Sequence, residues 1–79
     1  MRVRVTVMPK AGVLDPQGKA IQQALGSLGF DAVHDVRAGK VILLDIAETD
    51  ATAARAAAED MARKLLANTV IESFTVDIP

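Results

Sequence analysis

Apolar and polar residues alternate near both ends of the chain, and two amphipathic helical patterns lie between these stretches. In residues 2–8, Val3, Val5 and Val7 fall on one side of an extended chain, and the residues between them fall on the other side. Residues 70–78 alternate in the same way. These patterns of period two predict a strand near each end, and the first strand has an apolar face for a core.

The first helix is predicted by the apolar spacing in residues 16–28 and by its end signals. Apolar side chains recur at the spacing of one helical face, at Ala20, Ile21, Ala24, Leu25 and Leu28. The Asp15 side chain can cap the first turn, and Pro16 suits the first helical position. Gly29 is placed to end the helix in a left-handed conformation.

The second helix is predicted to begin after a cap at Thr49 or Asp50 and to end near Ala67. Its inner stripe is made of Ala54, Ala58, Met61, Ala62 and Leu65. Opposite charges stand four residues apart at Arg55–Glu59, Glu59–Arg63 and Asp60–Lys64. Each such pair adds about 0.2–0.5 kcal/mol to an isolated helix. These charges indicate a solvated outer face.

The middle region, residues 32–47, has an extended pattern with Gly39 inside it. A glycine there suggests a tight turn or a bulge, which favours two strands at 32–37 and 40–47 over one long bent strand. The order of elements predicts an α+β fold of the ferredoxin-like type, β-α-β(β)-α-β. This fold is an antiparallel sheet with two helices on one face. Residues 1–79 are expected to form one domain.

The sheet face without helices is predicted to be partly apolar. On the first strand it would carry Arg2, Arg4, Thr6 and Met8. On the long middle strand it would carry either Ile42, Leu44 and Ile46 or Val41, Leu43 and Asp45, because the sequence does not fix the register of this strand. Either set leaves large aliphatic side chains uncovered, and such patches mark association surfaces.

Composition narrows the ways in which so short a chain can be stabilised. The 79 residues are 51% hydrophobic, with no cysteine and one histidine. Disulfides, thiolate metal sites and a histidine cluster are therefore excluded. Oligomerisation is the remaining way to stabilise a chain with so small a core. The net charge of −1 argues against a nucleic-acid partner. No apolar run long enough for a membrane span and no signal-peptide pattern is found, so a cytoplasmic location is expected.

Few residues have the pattern of a catalytic, cofactor or metal site, and none is predicted. His34 and Asp35 are adjacent, but neighbours in an extended chain point to opposite sides, so they are poorly placed to cooperate. Arg37 and Lys40 flank the turn at Gly39. They form either an ordinary charged turn or a contact with an acidic surface or a phosphate on a partner.

Five short sequence segments occur in an order that is similar to the order found in one protein family. They are Gly12-Val13-Leu14-Asp15-Pro16-Gln17-Gly18, Leu28-Gly29-Phe30, Val36-Arg37-Ala38-Gly39-Lys40, Leu65-Leu66-Ala67-Asn68 and Val70-Ile71-Glu72. In this order and spacing the chain resembles the PurS family, the small subunit of phosphoribosylformylglycinamidine (FGAM) synthase. The resemblance covers essentially all 79 residues.

The resemblance implies a non-catalytic subunit of a ligase in purine biosynthesis. In that enzyme a glutaminase subunit releases ammonia from glutamine. A large synthetase subunit uses this ammonia, ATP and Mg²⁺ to convert formylglycinamide ribonucleotide to the amidine. The small subunit bridges the two and forms a homodimer or a dimer of dimers. No cofactor is expected in this chain.

The residues expected to make interface contacts are Arg4, Met8, Arg37, Lys40, Ile42 and Leu44. An alternative of another class is a stand-alone dimer of the ACT type that senses a small metabolite. Composition does not exclude this second interpretation.

Overall fold

The computed structural model describes residues 1–79 and contains three strands and two helices. In chain order the elements are β1 (Arg2–Pro9), α1 (Pro16–Ser27), β2 (Lys40–Asp45), α2 (Ala51–Met61) and β3 (Glu72–Asp77). The sheet order is β2-β1-β3, and both strand pairs are antiparallel. The predicted α+β class and ferredoxin-like arrangement are confirmed.

The prediction of a strand at 32–37 is wrong, and so is the alternative of one long bent strand, because only Lys40–Asp45 is extended and paired. The preceding segment instead makes hydrogen bonds with α1 and with the residue that caps it, Asp15. The Gln22 side chain donates to the His34 carbonyl oxygen (3.2 Å), and the Ala38 N–H donates to the Asp15 carboxylate (2.8 Å). Side chains thus satisfy backbone groups that a neighbouring strand would otherwise pair.

The core lies between the central strand and α2. Val3, Val5 and Val7 of β1 are fully buried. They belong to one cluster with the buried residues Ala54, Ala58, Ala62, Ala67 and Val76. Alanines at four-residue spacing let the helix approach the sheet closely and favour the helix itself. Only 9 of the 79 residues are buried, so this core is small.

The predicted inner stripe of α2 is correct at its three alanines and wrong at Met61 and Leu65, which are exposed. The physical reason for Leu65 is a π-helical turn, Ala62–Leu66, that follows α2. The Ala67 N–H donates to the Ala62 carbonyl oxygen (2.9 Å), which inserts one residue into the turn. Leu66 therefore packs against the core, while Leu65 remains 83% exposed.

Helix α1 lies largely apart from the sheet, and only Gly18 of its twelve residues is buried. The molecule measures 48 × 24 × 14 Å, with a radius of gyration of 15.7 Å. A compact domain of this length has a radius of gyration of about 12 Å. The length of β1 is about 27 Å and that of α1 is about 18 Å. The two lengths placed end to end nearly equal the 48 Å long axis, so α1 extends beyond the sheet.

The antiparallel pairing of β1 with β2 explains this extension. The connection between them must leave and re-enter the sheet at the same end, so the chain runs outward along α1 and returns through residues 28–39. We call α1 and residues 28–39 the arm. The sequence predicts that both helices cover one sheet face, whereas in the single chain α2 is the helix that covers it.

Candidate functional site

The open sheet face, on the side away from α2, carries exposed aliphatic residues. Val41 lies opposite Thr6 and Leu43 lies opposite Arg4, so these residues share one face. Val41 is 58% exposed and Leu43 is 61% exposed. Of the two sequence alternatives for this face, the observed register selects Val41, Leu43 and Asp45. Met8 lies on the same face of β1.

Ile42 and Leu44 lie on the opposite, helix-covered side. Ile42 pairs with Val5 and Leu44 pairs with Val3, and both are partly buried against the core. The expected interface residues therefore do not form one surface. Arg4 lies on the open face, whereas Ile42 and Leu44 lie beneath it. Their role in contacts stays a prediction.

Charges on the open face are paired across strands. The Arg4 guanidinium lies 3.8 Å from a carboxylate oxygen of Asp77 on β3. Arg2 lies opposite Asp45 in the register of β1 with β2. Each arginine thus has an acidic partner, so the open face has no excess of positive charge. Its distinguishing feature is the exposed aliphatic pair, Val41 and Leu43.

A network of hydrogen bonds at the base of the arm fixes its position, and we call the side chains of Asp15 and Arg37 the latch. Asp15 accepts hydrogen bonds from the Gly18 N–H (3.0 Å) and the Ala38 N–H (2.8 Å). The Arg37 guanidinium donates to the carbonyl oxygens of Pro9 (3.2 Å) and Lys10 (2.7 Å). The latch therefore joins the end of β1, the start of α1 and the returning segment.

The Asp15 carboxylate is favoured in its ionised form by this network. The hydrogen bond from Ala38, then the one from Gly18, and further the charge of Arg37 hold the pKa of Asp15 below its ordinary value of 3.8. Arg37 is thus engaged within the chain, whereas Lys40 at the other end of the turn is exposed.

Two glycines permit close approach at this junction. A Cβ on Gly18 would run into the Val36 carbonyl oxygen and the Asp15 carboxylate. A Cβ on Gly39 would run into the Met8 sulfur and the Val7 carbonyl oxygen. Glycine is therefore needed at both positions for steric reasons, as it lets the returning segment lie against α1 and β1.

An open cavity of about 540 Å³ lies between the start of α1 and the returning segment. Its lining includes Asp15, Lys19, His34, Asp35 and Arg37. Acidic and basic side chains are balanced there, so the cavity lacks the concentrated charge that would select an anion or a cation. Neither here nor in the rest of the chain do three His, Asp or Glu side chains gather in a group that could hold a metal ion. None of the helices combines the length and the apolar character required to cross a membrane.

Comparison with known sequences gives one consistent result. Residues 2–79 match the family model PurS, described as phosphoribosylformylglycinamidine (FGAM) synthase. Phosphoribosylformylglycinamidine synthase subunit PurS of Bacillus subtilis is 44% identical over 77 residues, covering 98% of this chain and 90% of the relative. The subunit of the same name from Mycobacterium leprae is 48% identical over 75 residues, covering 95% and 91%.

Comparison with solved structures gives the same family. The PurS structure from Bacillus subtilis superposes with a TM-score of 0.84 at 44% identity, covering 96% of this chain and 94% of that one. PurS from Methanocaldococcus jannaschii gives a TM-score of 0.85 at 37% identity, covering 96% and 92%. A chain in the structure of PurLQS from Thermotoga maritima gives 0.85 at 26% identity, covering 96% and 93%.

Proposed function

The chain belongs to the PurS family of FGAM synthase subunits, and on that premise we propose that it is the non-catalytic assembly subunit of this ligase in purine biosynthesis. The family resemblance in the sequence is thereby confirmed, and the metabolite-sensing alternative is not favoured. The observation that carries the proposal is the family match across residues 2–79.

The proposed task is to hold a glutaminase subunit against a large synthetase subunit. The glutaminase releases ammonia from glutamine, and the synthetase uses it with ATP and Mg²⁺ to form the amidine. Enclosure of a reactive intermediate keeps it from escaping into water. The PurLQS structure from Thermotoga maritima supports this proposal, because a chain within it has the fold described above.

The shape and surface of the chain suit this task. Its 48 Å long axis separates the arm from the far end of the sheet, which leaves room for two partners. We assign partner contacts to the open face, through Arg4 and Met8 together with Val41 and Leu43. Lys40, which is exposed at the start of β2 and lies opposite Val7 on the other side of the strand, adds a charged contact at the edge of the sheet.

Self-association and location complete the proposal. A homodimer, or a dimer of such dimers, would cover apolar surface that the small core leaves open. The cytoplasm is the proposed location, because the substrates named above are phosphorylated or charged metabolites. No cofactor is assigned to this chain, and ATP and Mg²⁺ are assigned to the synthetase partner.

The experiment that tests the function compares two nitrogen donors. Amidine synthesis by the synthetase and glutaminase from the same source is measured with glutamine and with free ammonium, each with and without this chain. We expect glutamine-driven synthesis to require the chain and ammonium-driven synthesis to proceed without it. If neither activity responds to the chain, the proposal is wrong.

A further inference from the structure

The arm is attached to the rest of the chain with almost no apolar packing. Gly18 is the one buried residue of α1, and no apolar residue of the arm belongs to the core cluster or packs against it. Ile21, Leu28 and Phe30 are exposed. Interdigitated side chains normally fix the angle between two elements, because a close-packed interface admits few arrangements. Another interaction must therefore set the angle of α1 to the sheet.

The connection from β1 to α1 does not fix this angle by itself. It consists of residues 10–15 and contains a backbone hydrogen bond from the Val13 N–H to the Lys10 carbonyl oxygen (3.2 Å). Gly12 within it has a φ of +82°, and nothing lies within 4 Å of the position that a Cβ would take. A glycine in open surroundings can change φ and ψ at little cost, so this connection can serve as a hinge.

The latch closes this hinge through bonds between segments that lie far apart in the sequence. The two carboxylate oxygens of Asp15 have separate partners: Oδ1 accepts from the Gly18 N–H, and Oδ2 accepts from the Ala38 N–H. The first bond caps α1 locally, whereas the second joins the start of α1 to the returning segment. The Arg37 guanidinium then joins that segment to the end of β1 through the Pro9 carbonyl oxygen. The returning segment thus braces α1 against the sheet.

We propose that the latch is a positioning device, which holds α1 at one angle to the sheet, and that assembly of the synthase requires this angle. Asp15 is its central positioning residue and acts through the Ala38 N–H. Without the latch the arm would swing about Gly12, and its apolar stripe would point in the direction required for contact only part of the time. The apparent affinity of the chain for its partners falls in proportion to that fraction. The second part of the proposal rests on the proposed function, whereas the first part does not.

Asp15→Asn separates the two hydrogen bonds of Asp15. The asparagine oxygen can still cap the helix, because asparagine is a favoured N-cap residue. Its amide nitrogen is a donor and cannot accept from the Ala38 N–H. Asp50→Asn is the matched control, since Asp50 caps α2 by accepting from the Ala53 N–H (3.1 Å) and makes no bond to a distant segment.

Distances between spin labels measure the angle in the isolated chain. The chain contains no cysteine, so the labels are attached at Gln23→Cys in α1 and Ala56→Cys in α2, which are exposed positions. Double electron–electron resonance is recorded after dilution with unlabelled chain of the same variant, so that only distances within one chain contribute. We expect a narrow distribution with the latch intact and with Asp50→Asn, and a distribution at least about twofold wider with Asp15→Asn.

Arg37→Ala is a second latch variant, because Arg37 lies outside α1 and its removal leaves the helix cap in place. It should also widen the distribution, while the circular dichroism of the chain stays that of the wild type. A narrow distribution in both latch variants would overturn the proposal. A wild-type distribution as wide as that of Asp15→Asn would overturn it as well, since the latch would then not hold the arm.

The complete enzyme tests whether assembly requires the angle. Asp15→Asn should raise the concentration of this chain needed for half-maximal glutamine-driven synthesis by about tenfold, and Asp50→Asn should not raise it. An equal concentration for Asp15→Asn and the wild type would refute the link between the angle and assembly. If the wild-type chain itself has no effect on synthesis, the proposed function fails, while the spin-label distances still decide whether the latch holds the arm.

Discussion

Asp15 shows at the scale of one residue how a local sequence signal acquires a long-range role. Its position before Pro16 predicts a helix cap, and the Gly18 N–H does donate to its carboxylate. The second hydrogen bond, from Ala38, joins residues 23 positions apart. No pattern near Asp15 predicts this bond, because it exists only once the returning segment lies against α1.

The first prediction concerns the pH dependence that follows from Asp15. Its folded-state pKa lies below 3.8, so its stabilising contribution is complete above the unfolded pKa and is lost as the pH falls through the folded pKa. Asp15→Asn should therefore have a lower Tm than the wild type at pH 7, and the difference should shrink below about pH 4. Thermal unfolding by circular dichroism across this range measures it.

Asp31→Asn is the matched control, since Asp31 is an exposed carboxylate in the same arm. Its Tm should follow that of the wild type at every pH. A Tm difference for Asp15→Asn that stayed constant into the acid range would show that ionisation of Asp15 plays no part.

The second prediction compares two glycines within α1. Gly18→Ala places a Cβ against the Val36 carbonyl oxygen, whereas at Gly26 nothing lies within 4 Å of the new atom. We expect Gly18→Ala to destabilise the chain by about 1–3 kcal/mol through overpacking. Gly26→Ala should stabilise it by about 0.5–1 kcal/mol, because alanine favours a helix. Urea denaturation gives both values, and equal effects of the two substitutions would refute the close contact at Gly18.

At the scale of elements, the end of α2 shows where periodicity alone misplaces a side chain. A regular helix would place Leu65 in the same stripe as Ala58 and Ala62. The π-helical turn at Ala62–Leu66 adds a residue, so Leu66 takes the inner position. The sequence predicts the helix and its alanine face correctly, but the turn depends on how the chain leaves α2 toward β3.

The third prediction tests this shift. Leu66→Ala should lower the free energy of unfolding by about 1–3 kcal/mol, because Leu66 packs against the core. Leu65→Ala should change it by no more than about 0.5 kcal/mol, because Leu65 is exposed. Denaturation of both variants under one condition provides the comparison. If Leu65→Ala lowered the free energy of unfolding more than Leu66→Ala did, Leu65 would occupy the inner position, as in a regular helix.

At the scale of the whole molecule, a small core and an extended shape occur together. The buried cluster links the sheet to α2, while the arm carries its apolar stripe away from that cluster. Large apolar side chains such as Leu28, Val41 and Leu43 are therefore exposed, and patches of this kind mark association surfaces. This surface is what an assembly subunit requires, because contacts rather than catalytic groups would perform its task.

The fourth prediction concerns the open face in the assembled enzyme. Leu43→Asp places a charge on an exposed position and should leave the isolated chain folded. In the complete enzyme it should raise the concentration of this chain needed for half-maximal glutamine-driven synthesis by about tenfold or more. Ammonium-driven synthesis should not change.

Ala56→Asp, at an exposed position of α2, is the control for the added charge. The concentration of Ala56→Asp needed for half-maximal glutamine-driven synthesis should equal that of the wild type. If Leu43→Asp behaved like Ala56→Asp, the open face would not contact the partner subunits.

The two helices, the terminal strands, the cap at Asp15 and the family could be predicted from the sequence, because they depend on local hydrogen bonds, on residue spacing and on short sequence segments. Two features could be read only from the folded chain. Val41 and Leu43, rather than Ile42 and Leu44, occupy the open face, and α1 extends beyond the sheet. Strand register and helix position depend on contacts between residues far apart in the chain, and apolar alternation is compatible with either face.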